Sequence, residues 1–249
     1  MAKKNKRYKY KFGIVARFLL PWFFFFAGFT PIPKKQASQV AVCKPAKERI
    51  KIDGKLDEPS WRIFERLPLS SNKTGHSIAD SSYTTYVQLA YDSSYVYFAF
   101  TCHDKNIFNH YTHRDEHLWK DEVIEIFIDL DDGKSTYVEF ELSPANVQFD
   151  SYITDTLDID INQTSRYNIL GIRSAVHIQG TVNDETDQDN LWTAEIAFPI
   201  EELDLELDRE YPINFYRIDR DKHGPGPLAW SPTFRRFHCP SSFGKIMFY

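Results

Sequence analysis

The sequence predicts an all-β fold, an antiparallel β-sandwich of the jelly-roll kind, behind an N-terminal apolar leader. Aromatic residues make up 16% of a globular composition, with Tyr and Phe dominant, which favours pleated strands over helices. About ten short runs alternate apolar and polar residues with a period of two, and Asp-, Ser- and Gly-containing turns separate them. No internal repeat and no sustained helical period interrupts the series. Hairpins stacked into two sheets are the architecture that remains.

Residues 1–29 read as a signal peptide or as an uncleaved N-terminal anchor. A basic stretch (Lys3, Lys4, Lys6, Arg7, Lys9, Lys11, Arg17) precedes an apolar run from Phe18 to Phe29. That run falls short of the roughly 20 apolar residues a membrane span needs. Either fate places the protein outside the cytoplasm, in the periplasm, the medium or on the envelope, with membrane contact only through the leader. Residues 1–42 hold nine Lys and Arg and no acid, so the remainder carries 21 basic against 35 acidic residues, a net charge of −14. An acidic body excludes nucleic acid as a partner, because neutralising phosphates requires Lys and Arg. The three cysteines, Cys43, Cys102 and Cys239, allow at most one disulfide, and the sequence does not choose the pair.

Residues 30–48 read as a Pro- and Lys-containing linker, and residues 49–249 as the sandwich. Arg49 to Ile52 is a first strand, ending at the turn pair Asp53-Gly54. Thr84 to Asp92 and Tyr95 to Cys102 form a hairpin about Asp92-Ser93-Ser94. The stretch from Trp119 to Asp129 follows, then the turn Asp131-Asp132-Gly133-Lys134 and the strand Thr136 to Leu142. Val147–Ile153, Arg173–Gln179, Leu191–Phe198, Ile213–Asp219 and Lys245–Phe248 complete the set, with helical turns only near Pro59–Arg66 and Pro199–Leu207. The acidic stretches Asp155–Asn168 and Asn183–Asn190 read as solvated loops.

The strand after Trp119 is the most informative element. Its period puts Ile124, Ile126, Ile128 and Leu130 on a core face, and Val123, Glu125, Phe127 and Asp129 on the other. An acid and an aromatic residue beside Trp119 make a surface suited to a sugar: acceptors for hydroxyls and a flat plate for the C–H face of a pyranose. On the Thr136–Leu142 strand, Glu139 and Glu141 share a face.

Six segments in order resemble carbohydrate-binding module family nine. They are Ile52-Asp53-Gly54-Lys55-Leu56-Asp57-Glu58-Pro59-Ser60-Trp61, Tyr91-Asp92-Ser93-Ser94-Tyr95-Val96-Tyr97, Val123 to Asp129, Trp192-Thr193-Ala194-Glu195-Ile196, Trp230-Ser231-Pro232 and Pro240-Ser241-Ser242-Phe243-Gly244-Lys245-Ile246. The resemblance implies a β-sandwich that grips a terminal sugar between two aromatic plates, binds structural calcium and accompanies enzymes that degrade plant polysaccharide, xylan especially. Carried over by residue, it implies one plate at Trp119, the sugar-bonding acid at Glu125 and the second plate at Phe237, where the family more often has Trp. At a position where the family often has Arg, this chain has Glu141; Arg217, Arg235 or Arg236 is then the candidate replacement cation.

Alternative chemistries use the same residues. Glu125 with Glu139 or Glu141 is a candidate acid pair for a glycoside hydrolase, and an envelope interaction protein that has lost its sugar site is a third reading. Calcium candidates are Asp104 and Asp129, with Asp131 and Asp132, all at strand ends where acids equally serve as turn formers. His110, His113 and His117 have a spacing that suits a transition metal if the segment is helical. With Met247 the only methionine beyond the leader, haem is not expected, and no motif suggests a nucleotide.

Overall fold

The structure, a computed structural model, describes residues 39–131 and 136–249. The leader, most of the expected linker and Asp132 lie outside the described residues. Thirteen strands form: β1 (Val40–Pro45), β2 (Leu67–Pro68), β3 (Ser70–Ser71), β4 (Thr85–Tyr91), β5 (Tyr95–His103), β6 (Val123–Ile128), β7 (Tyr137–Leu142), β8 (Gln148–Ile153), β9 (Arg173–Gln179), β10 (Leu191–Pro199), β11 (Tyr211–Ile218), β12 (Leu228–Ala229) and β13 (Gly244–Phe248). Two short helices, α1 (Pro59–Ile63) and α2 (Ile161–Thr164), accompany them.

The strand order is β8-β7-β6-β11-β13-β1-β4-β5-β10-β9. The first half faces the second, and β1 joins them: Val40–Cys43 pair with β13, and Lys44–Pro45 pair with β4. Both β1 pairings are parallel and the other ladders antiparallel, so the sheet is mixed and curled. The aliphatic face of β6 fills the interior with Phe140, Phe215, Phe98, Phe100 and Phe198. Ring pairs bridge the halves, Phe98 to Phe215 at 5.8 Å and Phe140 to Phe198 at 5.5 Å between centroids.

Two expected elements differ. Arg49–Ile52 is not a strand; it lies as cover, with Ile50 and Ile52 packed alongside Trp61 and Phe64 on Ala90, Tyr97, Ala99 and Ala197. The last strand partner comes instead from β1, inside the stretch expected as linker, where Ala41 and Cys43 are fully buried. Pro199–Leu207 makes the expected turns, with the Leu203 N–H donating to the Pro199 carbonyl, and α1 falls in the expected place.

The first motif now has a physical reason. Glu195 on β10 accepts the backbone N–H of Asp53 at 2.9 Å, that of Gly54 at 2.8 Å and the Trp61 indole N–H at 2.9 Å. One buried carboxylate thereby fastens the covering segment to the sheet. Gly54 has φ +81°, and a Cβ there would stand 2.7 Å from the His177 backbone nitrogen. Only glycine fits that turn.

Candidate functional site

The outer face of the first half-sheet positions the site. Register places Glu125 beside Glu141 and Tyr216, Phe127 beside Glu139, and Glu141 beside Phe149. The three glutamates therefore meet at the centre of one sheet face, flanked by aromatic residues. They lie opposite the Ile124, Ile126 and Ile128 face, as the period of two requires. This outer face is nevertheless buried: Glu125, Glu139 and Glu141 are only 2%, 4% and 1% exposed. Their nearest carboxylate oxygens all lie within 4.8 Å of one another.

Four of these oxygens, Glu125 Oε1, Glu139 Oε2 and both of Glu141, lack a well-aligned donor, although Glu139 and Glu141 lie close enough to share a proton and the Trp119 backbone N–H approaches Glu141. Burial away from water, together with mutual repulsion, holds the Glu125 and Glu141 carboxyls well above the usual carboxylate range. Burial raises Glu139 to about 8. At neutral pH the cluster keeps protons that exposed glutamates would release.

A cavity of about 340 Å³ opens onto this cluster, lined by Trp119, Glu125, Glu139, Ile159, Ile161, Ile218, Phe237 and His238. That volume lies at the small end of the ligand-pocket range of about 300–1,000 Å³. A larger groove of about 720 Å³, lined by Arg49, Lys51, Gln148, Arg173 and others, lacks an aromatic wall and buried acceptors. Chemistry, not size, makes the smaller cavity the candidate site.

Trp119 sits in a single 3-10 turn, Leu118–Lys120, anchored by fully buried Leu118. Its indole stacks on His117 at 4.6 Å and meets the edge of Phe149 at 5.3 Å. Phe237 lies in the loop after β12 and stacks on Tyr216 at 4.1 Å, with 16° between the rings. The Tyr216 hydroxyl donates to the Phe237 carbonyl at 3.0 Å and fixes the loop. Each plate thus has one face braced by another ring and can offer a ligand only the other. His238 is 2.5 Å from the Tyr137 hydroxyl, and burial lowers its pKa to about 4, so the imidazole is neutral at pH 7.

The structure brings Trp119, Glu125 and Phe237 into one cavity, and pairs Glu141 with Glu125 on the adjacent strand. It does not bring Arg217 there. Arg217 alternates to the inner face of β11 and is fully buried against Asp104, Glu122 and Asp219. Arg235 is exposed and lines a neighbouring groove with Asp129 and Arg236. Neither arginine lines the cavity.

The calcium candidates Asp104 and Asp129 do not converge. Asp104 and Asp129 line different grooves, and the carboxylate of Asp104 is occupied by Arg217 and the Asn106 N–H. Among the described residues, only Glu125, Glu139 and Glu141 form a group spaced to hold a metal ion. The three histidines also diverge: His110 contacts Asp121, His113 contacts Glu116 and His117 stacks on Trp119. The three cysteines are unpaired.

Sequence reading missed His238 and the aliphatic wall of Ile159, Ile161 and Ile218. The alternation Leu157-Asp158-Ile159-Asp160-Ile161 was the available signal, since a purely solvated loop has no use for spaced isoleucines.

A β-sandwich whose outer face carries an aromatic- and acid-lined cavity is a small-ligand-binding module. The family model described as "Carbohydrate family 9 binding domain-like" matches residues 52–248, and the chain belongs to that family. A curated relative, "Extracellular protein" from Arthroderma benhamiae, is 29% identical over 180 residues, 66% of this chain and 78% of the relative. Among solved structures, a proposed carbohydrate-binding protein from Bacteroides uniformis has a TM-score of 0.66 at 18% identity, covering 86% of this chain and 100% of its own. A family 9 carbohydrate-binding module from Caldicellulosiruptor kristjanssonii in complex with cellotriose has a TM-score of 0.56 at 15% identity, covering 84% of this chain and 93% of the module. A family 9 module from the same organism in complex with glucose gives 0.53 at 14% identity, covering 84% and 95%. At these identities the structural likeness concerns the fold.

Proposed function

We propose that this protein is an exported, non-catalytic carbohydrate-binding module that seats a sugar ring between Trp119 and Phe237. The observation that carries the reading is the cavity itself, where both aromatic residues and the buried acceptors Glu125 and Glu139 line one space. Family membership and the extracellular name of the curated relative support the binding role and export respectively. Plant polysaccharide of the xylan type, alongside its degrading enzymes, is the setting the family resemblance implies.

Carboxylate spacing argues against hydrolysis. Retaining glycosidases hold their two carboxyls about 5–5.5 Å apart and inverting ones about 6.5–9.5 Å, flanking the bond to be cut. Here the three acids touch on one face of one sheet, within 4.8 Å, leaving no room for a sugar between them.

Affinity electrophoresis in gels containing soluble xylan or β-glucan tests this reading. The full chain should be retarded by at least one polysaccharide, and Phe237→Ala should migrate freely while keeping its fold. Release of reducing sugar that disappears in Glu139→Gln would instead establish a hydrolase.

A further inference from the structure

We propose that the preferred ligand of this site is a sugar bearing an ammonium group, an amino sugar of the glucosamine type, held by the Glu125-Glu139-Glu141 cluster at the base of the aromatic cavity. The inference rests on the sugar-binding reading above and names the class of sugar.

Buried acid beside an open cavity is the starting point. Three carboxyl groups share one buried patch, and four of their oxygens lack a well-aligned donor, with Glu139 and Glu141 close enough to share a proton. No Lys or Arg among the described residues forms an ion pair with any of them. The elements packed around the patch supply no cation either. β11 presents the Tyr216 ring and β8 presents Phe149 and Ser151, while the Trp119 turn and the α2 region present apolar side chains. His238 is the basic side chain in the cavity wall, and burial keeps it neutral. Arg236 nearby stands exposed. A neutral sugar leaves these carboxyls holding their protons, whereas a cation seated among them favours their ionised form and takes the place of a released proton.

An ammonium group matches the patch in number and in shape. It has three N–H donors and no acceptor, against three carboxyl groups with accepting oxygens. The bonds it would form are charge-assisted and roughly twice as strong as neutral ones. The rest of the cavity wall suits the remainder of such a ligand. Trp119 and Phe237 offer ring faces to the C–H faces of a pyranose, and an aromatic face also attracts a cation. An equatorial amino group lies in the plane of the ring, so a sugar flat against a plate directs it toward the cavity base. A bare divalent ion fits less well. Calcium takes six to eight oxygen ligands, and beyond the acids this cavity is lined by Trp119, three isoleucines, Phe237 and His238.

Titration calorimetry of the full chain tests the proposal at about pH 6 and physiological ionic strength. The ligands are a β-1,4-linked glucosamine trisaccharide, its fully N-acetylated counterpart and cellotriose. The free-amine trisaccharide should bind at least about tenfold tighter than either neutral one. Raising the salt should preserve that preference, since the contact is buried, whereas diffuse attraction to an acidic protein would be screened away. Glu141→Gln removes one ionisable carboxyl with little change in side-chain size, and melting temperature checks its fold. It should shrink the ratio of free-amine to N-acetylated affinity.

Equal or tighter binding of the neutral trisaccharides, lost in Trp119→Ala, would overturn the ammonium inference and keep the sugar-binding reading. Calcium binding at the cluster without any amine preference would overturn it as well. Failure of all three ligands to bind would overturn both readings.

Discussion

Arg217 lies on the inner face of β11, so its guanidinium points between the half-sheets rather than toward the sugar cavity. It donates to the Thr85 hydroxyl at 3.0 Å and to the His103 carbonyl at 2.8 Å, and pairs with Asp104 and with Glu122. Glu122 also accepts the Trp192 indole N–H at 3.0 Å. Truncating one member of such a buried network strands the others, at a cost of about 3–5 kcal/mol. Arg217→Met should therefore lower unfolding stability by that order in urea while leaving sugar affinity in the surviving folded protein unchanged. A loss of affinity at unchanged stability would return Arg217 to the binding site. Sequence period placed Glu125 correctly because the aliphatic face of its strand declared itself. The same period assigns no face to an arginine, which is at home in solvent or in a buried pair, and only the structure shows its three acidic partners. Gly54 makes a second residue-scale test: Gly54→Ala adds a Cβ against backbone at a positive φ. It should destabilise by more than about 1 kcal/mol in chemical unfolding.

At the scale of elements, alternating patterns read well where one face of a strand is apolar. Arg173–Gln179 emerged with its expected bounds as β9, and β4, β5, β7, β8, β10, β11 and β13 within a few residues of theirs. Strand β6 was legible in place but not in burial, because both its faces are covered, one by the opposing half-sheet and one by loops. β1 was not legible. Its six residues, Val-Ala-Val-Cys-Lys-Pro, follow a basic, Pro-containing stretch, and parallel pairing with strands distant in sequence leaves no local turn signal. The domain consequently begins earlier than residue 49. A chain starting at residue 49 loses Ala41 and Cys43 from the core and uncovers the edges of β13 and β4. It should melt lower and aggregate more readily than one starting at residue 37. Indistinguishable melting would show that β1 is dispensable.

Across the whole molecule, the acid cluster sets the response to pH. Glutamates ordinarily titrate near 4.5, whereas Glu139 is raised to about 8 and Glu125 and Glu141 lie well above the ordinary value. Between those limits the unfolded chain releases protons that the folded chain retains, so this contribution to stability is present below pH 4.5 and is lost as pH rises toward 8. Half-buried Asp53 and exposed Asp80 are shifted the other way by their lysine and backbone partners, and their contribution fades in acid. The ligand-free protein should therefore melt highest in mild acid and fall toward pH 8, with a shallower fall in Glu141→Gln. Flat melting over that range would mean that the acids reach solvent. The cluster itself was only half legible. The sequence gives Glu139 and Glu141 one face of a strand, but the hairpin register that sets Glu125 against Glu141 is a property of the folded sheet.

The central claim is that the cavity beneath Trp119 and Phe237 binds sugar. Its most direct test is calorimetric titration of the full chain and of Trp119→Ala with cellotriose and the glucosamine trisaccharide. Loss of one stacking partner is worth about 0.5–1.5 kcal/mol beyond burial, so affinity for the better ligand should fall at least several-fold at a melting temperature within a few degrees of the parent. Undiminished affinity in Trp119→Ala would place sugar binding elsewhere on the molecule, and no heat with either ligand in the parent chain would contradict a sugar site altogether.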